Sequence, residues 1–531
     1  MRGATPQASL TPAVQRVDPA TVIEESSVSE LRGYLDEGAF TIVELVEACV
    51  DRIEELDRGE TGLNAVIELN PDAVKIAGEL DRELWEGSSR GPLHGIPVML
   101  KDIIATADRM RTTAGSLALE GNNVVKDAFI VERLRDAGAV ILGKTNLTEW
   151  SNFMGSSGRS GWSTRGGQTV NPYHLDHSPS GSSSGSAVAV AASYVPLAIG
   201  SETNASIISP ASTCGVVGLK PTVGLTSRAG VIPISFSQDS LGSMARSVTD
   251  AAIMLSVIAG FDEDDPSAGV AEDSSPAAAL SRTEIAALGT VDYAAALDPD
   301  ALRGSRIGVC RSLFGFAPEV DAIAEMAIEV MEKAGAEIIE DVYVGYLDPS
   351  PYVVLLTEFA YGLTGFLDTY MPNGPVGTIQ EIVDFNFEHA DEELSVTDQS
   401  GLTDALGAGS IEDPYYLETR ALRQASIRDE GIDLVMDELR LDALVAPTAA
   451  LAASFSGGGS GGSSAEPPCI AGYPSLTLPI GLSGGLPAGL HFFGRAFSEE
   501  TLLKLAYSLE QALPPREPPT YIPADEPLPA G

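Results

Sequence analysis

Long hydrophobic runs are missing from this chain of 531 residues. The longest apolar stretch, Ala187 to Gly200, is broken by Ser193, Tyr194 and Pro196 and falls short of the ~20 residues that cross a bilayer, so no membrane span is expected. Met1 to Pro12 is polar and lacks the apolar core of about 7–15 residues of a secretory signal. Cysteine is scarce as well: Cys49, Cys214, Cys310 and Cys469 lie far apart, with no C-x-x-C pair. That excludes a disulfide-stapled secreted scaffold and fits a reducing compartment, so a cytoplasmic location is expected.

Positive charge is the largest deficit. Seventy-five acidic side chains face 32 basic ones, a net charge of −43, and only seven of the basic residues are Lys. A field of that sign repels phosphate backbones and anionic lipids, so nucleic acid is not an expected partner. An acid-rich, Lys-poor surface suits a salt-adapted (halophilic) protein, because at molar salt the Debye length shrinks to about 3 Å and self-repulsion is screened.

What remains is enough for a large core, since 44% of the residues are hydrophobic. Thr41 to Asp57 carries apolar residues at helical spacing behind a Thr41/Glu44 capping box. Gly95–Lys101 reads as a buried strand, Ala128–Asp136 as a helix and Ala139–Leu142 as a strand, and the alternation returns at Arg306–Val309, Val320–Ala334 and Ala336–Glu340. This is an α/β pattern: a central mixed, twisted sheet covered by helices on both faces. Pro266–Ala296 has no clear strand and reads as a surface excursion. Asp348–Gly409 reads as an aromatic, irregular wall, and Gly457–Ser464 as a flexible loop. Tyr352, Phe359 and Tyr361 are candidates for an apolar pocket, although core packing explains them equally well.

Three segments interrupt the buried-looking sequence with polar residues. Lys101 ends an apolar strand, where desolvation lowers an amine's pKa from about 10.4 toward a usable base; strand-end lysines more commonly reach out to solvent. Pro179-Ser-Gly-Ser182-Ser-Ser-Gly-Ser186 presents hydroxyls at the mouth of an Ala/Val-rich helix, unless it is a plain Gly/Ser linker. In Gly200-Ser-Glu-Thr203-Asn-Ala-Ser206, the backbone N–H groups of Thr203, Asn204, Ala205 and Ser206 are candidates to converge on one developing oxyanion.

Taken together, these segments resemble the amidase signature family of serine hydrolases, over roughly Phe40 to Phe497. The likeness includes Leu93-His-Gly-Ile-Pro-Val-Met-Leu-Lys101-Asp102, Thr112–Ser116, Ala137–Glu149, both serine segments, Gly215–Thr222 and Ala471–Pro474. It implies a Ser-Ser-Lys triad with Lys101 as base, Ser182 as proton relay, adjoined by a cis peptide, and Ser206 as nucleophile. Asp102, Ser183 and Thr203 would support them from behind. Gln168–Tyr173, Gly224–Ser235 and Gly489–Arg495 look most like the peptide-amidase branch. The implied activity is hydrolysis of small primary amides or C-terminal peptide amides to acid and ammonia through a seryl acyl-enzyme, with no cofactor and no metal, in a monomer or homodimer. Residues 1–75 would form an N-terminal arm with helices, 76–515 the catalytic domain and 516–531 a Pro-rich tail.

The chain departs from the family pattern at Asn204-Ala205, where Gly-Gly or Asp-Gly is usual, at Ile103 in place of Asn, and at Ile208 in place of Arg. A left-handed backbone at Ala205 would cost about 1–2 kcal/mol. Other readings compete. Gly181–Gly185 matches the G-x-S-x-G nucleophile elbow with His389 or His491 as base, but no strand precedes it. His174 and His177 form at most a weak metal pair, and His94 fits a structural hydrogen bond better than a pocket wall. The chain is also open to reading as the glutamine-hydrolysing subunit of a tRNA-dependent amidotransferase, or as a catalytically weakened ligand-binding homologue.

Overall fold

The computed structural model describes residues 15–156, 158–265, 275–345, 352–456 and 462–528. An eleven-stranded sheet runs through it. We number its strands β1 (Val66–Leu69), β2 (Pro97–Lys101), β3 (Val140–Thr145), β4 (Leu197–Glu202), β5 (Val217–Lys220), β6 (Ser240–Ala245), β7 (Arg306–Val309), β8 (Glu337–Ile339), β9 (Ala443–Pro447), β10 (Ser475–Ser483) and β11 (Leu486–Phe493). Their spatial order is β1-β3-β2-β4-β6-β5-β10-β11-β9-β7-β8. β2 lies parallel to both β3 and β4, β7 parallel to β8 and β9, and the other pairs are antiparallel, so the sheet is mixed as the alternation implied.

Helices cover this sheet. α1 (Val28–Glu37) and α2 (Ile42–Leu56) each begin with a capping box, Ser27/Glu30 and Thr41/Glu44, and each box contributes about 1 kcal/mol by satisfying end N–H groups. α3 (Ala73–Trp85) packs on α2. α4 (Phe129–Asp136) is the crossover that lets β2 and β3 run parallel. α5 (Ser184–Ala191) is buried along its whole length and packs on β2, β3, β4 and β6. α6 (Ile208–Thr213) lies over β5, β10 and β11. α7 (Val248–Ile258), α8 (Arg282–Leu288) and α9 (Pro318–Ala334) follow, with α9 as the crossover between β7 and β8.

Asp348–Gly409 departs from the sequence reading, because its described part is helical rather than irregular. α10 (Tyr352–Tyr370), α11 (Ile379–Glu388), α12 (Ala390–Glu393) and α13 (Ser400–Leu406) fill it. α10 is rich in aromatic, β-branched and Gly residues with weak helix propensity, but it buries Val354, Glu358, Phe359, Leu363, Phe366 and Tyr370 on one side, and tertiary packing overrides propensity. α14 (Pro414–Ile427), α15 (Asp433–Leu439), α16 (Glu466–Ala471) and α17 (Glu499–Ala512) complete the set.

β1 belongs to the main sheet, and a division at residue 75 falls inside α3. The described part of the tail is strapped to the body. Arg516 donates to Gly215 O and Ile522 N to Tyr173 O, and Leu175 N donates back to Ile522 O. Residues 457–461 of the Gly/Ser loop and 266–274 of the excursion lie outside the described residues; the rest of the excursion holds α8 and no strand. Among the described residues no helix is long and apolar enough to cross a membrane.

Candidate active site

Lys101 is the last residue of β2, a strand buried on every residue because it is flanked by parallel neighbours and covered by α5. Alternation along the strand puts Lys101 on the face of Met99 and Pro97. Its amine is fully buried and donates to Ser182 Oγ (2.6 Å) and Ser201 Oγ (2.9 Å). Neither partner is charged. Burial pulls the amine down to about 7, opposed through space by Asp239 and Glu202.

Ser182 sits two residues before α5, after a cis Gly181–Ser182 bond. Thr148 N donates to Ser182 O (3.1 Å), and a Cβ on Gly181 would stand 2.3 Å from Thr148 Oγ1, so glycine is required there. Gly185 is equally fixed: a Cβ would come within 2.3 Å of Ala65 O. The serine-rich loop is therefore buried from Ser182 onward, with only Ser178, Ser180 and Gly181 partly exposed, and is not a linker. Ser183 Oγ donates to Ser201 O (3.1 Å) and accepts from Ser201 N (3.2 Å), tying the loop to β4 beside Lys101.

Ser183 N also donates to Ser206 O (3.2 Å), which brings the third residue to the same place. Ser206 is 8% exposed, and its hydroxyl has no hydrogen-bond partner among the described residues. The turn before it is left-handed at Ala205 (φ 63°), the conformation whose cost the sequence raised. No N–H of Thr203, Asn204, Ala205 or Ser206 donates to an oxygen among the described residues, although that of Ala205 faces the Cys469 sulfur. Asn204 is exposed and Ala205 half-buried, so the turn borders solvent on one side. Thr203 Oγ1 donates to Asp239 Oδ1.

Asp102 does not join this group. Its carboxylate accepts from Thr113, lies 3.6 Å from Arg165 and is held near Lys144, while burial raises its pKa. The elbow reading loses its base. His389 is exposed at the end of α11, bonded to Phe385 O. His491 is buried against Ser464 Oγ (2.9 Å), and burial pushes it down to about 3. His94 Nε2 donates to Leu80 O (3.1 Å), a structural bond. The His174 and His177 rings touch at 4.4 Å between centroids, but both His174 nitrogens are engaged, by Glu526 O and Asp176 N, and no group of three potential ligands exists among the described residues. On α10, Phe359 is buried against Phe153 (4.6 Å), while Tyr352 and Tyr361 are about half exposed.

Sequence reasoning missed Ser201, Glu202, Asp239 and Cys469. Ser201 and Glu202 end a fully buried strand, and polar residues in such a strand were the available signal. Asp239 and Cys469 reach the site only through the fold.

The chain matches the protein-family model for Amidase over residues 44–503. It is 37% identical over 518 residues to a probable amidase of Arabidopsis thaliana, covering 96% of this chain and 94% of that protein. It is 36% identical over 501 residues to a glutamyl-tRNA(Gln) amidotransferase subunit of Chloroflexus aurantiacus, covering 91% and 96%. The crystal structure of native peptide amidase from Stenotrophomonas maltophilia superposes with a TM-score of 0.85 at 44% identity, over 94% of this chain and 99% of that one. With the family model spanning most of the sequence and full-length relatives well above 30% identity, the chain belongs to the amidase signature family and is an amidase.

Proposed function

We propose that this amidase hydrolyses small primary amides or C-terminal peptide amides to acid and ammonia through a Ser-Ser-Lys triad. The observation that carries the reading is the 2.6 Å contact between Lys101 Nζ and Ser182 Oγ in a site where the amine is fully buried and faces only hydroxyls. In its neutral form Lys101 accepts the proton of Ser182, which deprotonates Ser206 as Ser206 Oγ attacks the amide carbon. The tetrahedral oxyanion is held by N–H groups of the 203–206 turn. Ser182 returns the proton to the departing nitrogen, and the C–N bond breaks to leave the acyl-enzyme. Water, deprotonated through the same relay, then attacks the ester carbonyl, and the proton passes back to Ser206 as the acid leaves.

The likeness to the peptide amidase supports the choice of substrate. No step calls on a cofactor, a metal or a nucleic acid. The acidic, Lys-poor composition supports work at high salt, and the proposal places the enzyme in a cytoplasm as a monomer or homodimer. A second reading, in which the chain is the glutamine-hydrolysing component of an amidotransferase, is favoured by the 36% identity to the Chloroflexus protein. The test is ammonia release from primary amides, peptide amides and glutamine at high salt by the parent, Ser206→Ala and Lys101→Ala. Turnover abolished by both substitutions supports the proposal. Silence toward every amide but glutamine, relieved by partner proteins of the amidotransferase, supports the second reading. Ligand binding without turnover supports a homologue weakened at Asn204-Ala205.

A further inference from the structure

Two buried carboxylates outside the triad close on the turn that carries Ser206. Glu202 ends β4 and is fully buried. Its Oε2 accepts from Ile207 N (2.7 Å) and Ile208 N (2.8 Å), and its Oε1 accepts from the Cys469 thiol (3.1 Å). Asp239 precedes β6, whose first residue, Ser240, pairs with Glu202 across the ladder, so Asp239 stands beside Thr203 at the other end of the turn. Its Oδ1 accepts from Thr203 Oγ1, and its Oδ2 accepts from Ile234 N (2.8 Å) and Ser235 N (2.9 Å).

Ser201, Thr203 and Asp239 also line one small cavity with Ile103 and Ser151, and Ser201 Oγ takes the second hydrogen bond of Lys101. We propose that Glu202 and Asp239 are positioning residues of this enzyme: they clamp the two ends of the nucleophile turn, and their negative charge sets how readily Lys101 gives up its proton. The inference rests on the proposed role of Lys101.

Coulomb's law supplies the sign. Burial favours the neutral amine, whereas a carboxylate nearby favours the ammonium, and Asp239 and Glu202 are the charged groups acting on Lys101. Behind Asp239 stands Arg228, which donates to Asp239 O (3.3 Å) and is ion-paired to Asp265; burial pushes the Asp239 carboxyl up to about 6, so it is ionised above that pH. Behind Glu202 stand Cys469 and Lys220, with Glu499 beyond. Without the two carboxylates the amine would stay neutral to a lower pH and be a weaker base. With them it titrates near neutrality, where a general base is most effective.

Glu202→Gln and Asp239→Asn keep the shape and an accepting oxygen while removing the charge. With only seven lysines in the chain, 15N-lysine labelling follows each amine by NMR, and Lys101→Arg assigns the Lys101 signal. The expected result is a Lys101 titration midpoint lower by about one pH unit or more in each variant, with the acid limb of kcat moving alongside. The same variants should lose about tenfold in kcat at the plateau with little change in KM, as a loosened nucleophile turn requires. An unmoved midpoint in folded variants overturns the inference, and if one variant does not fold, the other decides. A midpoint that moves while the rate limb stays put overturns Lys101 as base and leaves the electrostatic part of the inference standing.

Discussion

Strands β2 and β3 lie side by side, and each carries a buried lysine near its end. Their registers pair Leu100 with Lys144 and Lys101 with Thr145, so the two amines point to opposite faces of the sheet. On one face Lys101 meets two hydroxyls. On the other, Lys144 donates to Ile104 O (2.5 Å) and Thr112 Oγ1 (2.9 Å), with Asp102 as counter-charge. Burial lowers both, Lys101 to about 7 and Lys144 to about 8, so desolvation alone does not make a base. The difference lies in the partners. The hydroxyl beside Lys144, Thr112 Oγ1, already gives its own proton to Ile104 O (3.3 Å), whereas the Ser182 hydroxyl donates to no acceptor among the described residues and can reverse its bond toward a neutral amine.

The sharpest break of this comparison is paired substitution. Lys101→Ala is expected to lower kcat by about 10⁴-fold or more while the protein stays folded. Lys144→Met should leave turnover per folded molecule within a few-fold but cost about 3 kcal/mol of stability, since Asp102 keeps a buried charge with less compensation. Steady-state kinetics beside urea unfolding at fixed salt separates the two. Equal kinetic losses would erase the distinction between the faces.

The pH profile is the next largest effect. In the proposed mechanism Lys101 acts in its deprotonated form, so kcat is expected to rise with pH through about 7 and to fall about tenfold per pH unit below it. At pH 5 the rate should be about 100-fold under its plateau. Lys144→Met should leave that limb where it is. A limb that follows Lys144 would reassign the base to the other face.

A smaller effect sharpens the same point. Ser201→Ala removes an acceptor that favours the Lys101 ammonium, so the acid limb should move down by less than about one pH unit. Thr112→Val removes the corresponding acceptor of Lys144 and should leave kinetics unchanged. The two variants assayed across pH 5 to 9 decide this.

The two faces were not equally legible in the sequence. β2, α4, β3, β7 and α9 follow from hydrophobic spacing, because each buries a regular stripe or strand, and Lys101, Ser182 and Ser206 stand out where polar residues break such runs. The resemblance sets Asp102 behind the triad, but the chain turns after Lys101, whose carbonyl accepts from Ile103 N and Ile104 N, and carries Asp102 to Lys144 and Arg165. Asp239 and Cys469 gave no local signal, since their partners lie 36 and 267 residues away. The helix of 352–370 was illegible for a different reason: its residues have weak helix propensity, and its buried side packs against residues such as Phe153.

The smallest expected effect concerns backbone rather than side chain. β2 ends in a turn made by ordinary residues, whereas the turn after β4 requires φ 63° of Ala205. Glycine adopts that conformation without the Cβ clash, which is a relief of about 1–2 kcal/mol, but it also enlarges the unfolded ensemble at a cost of about 0.5–1 kcal/mol. Ala205→Gly should therefore gain about 0.5 kcal/mol in urea unfolding, whereas Ala187→Gly inside α5 should lose about 1 kcal/mol. If relieving the strain also re-aims the N–H groups of 203–206, kcat rises in Ala205→Gly while the acid limb stays near 7. A raised plateau beside an unmoved limb assigns the turn to oxyanion binding and leaves the base with the strand end, because Ala205→Gly then moves one kinetic observable and leaves the other in place.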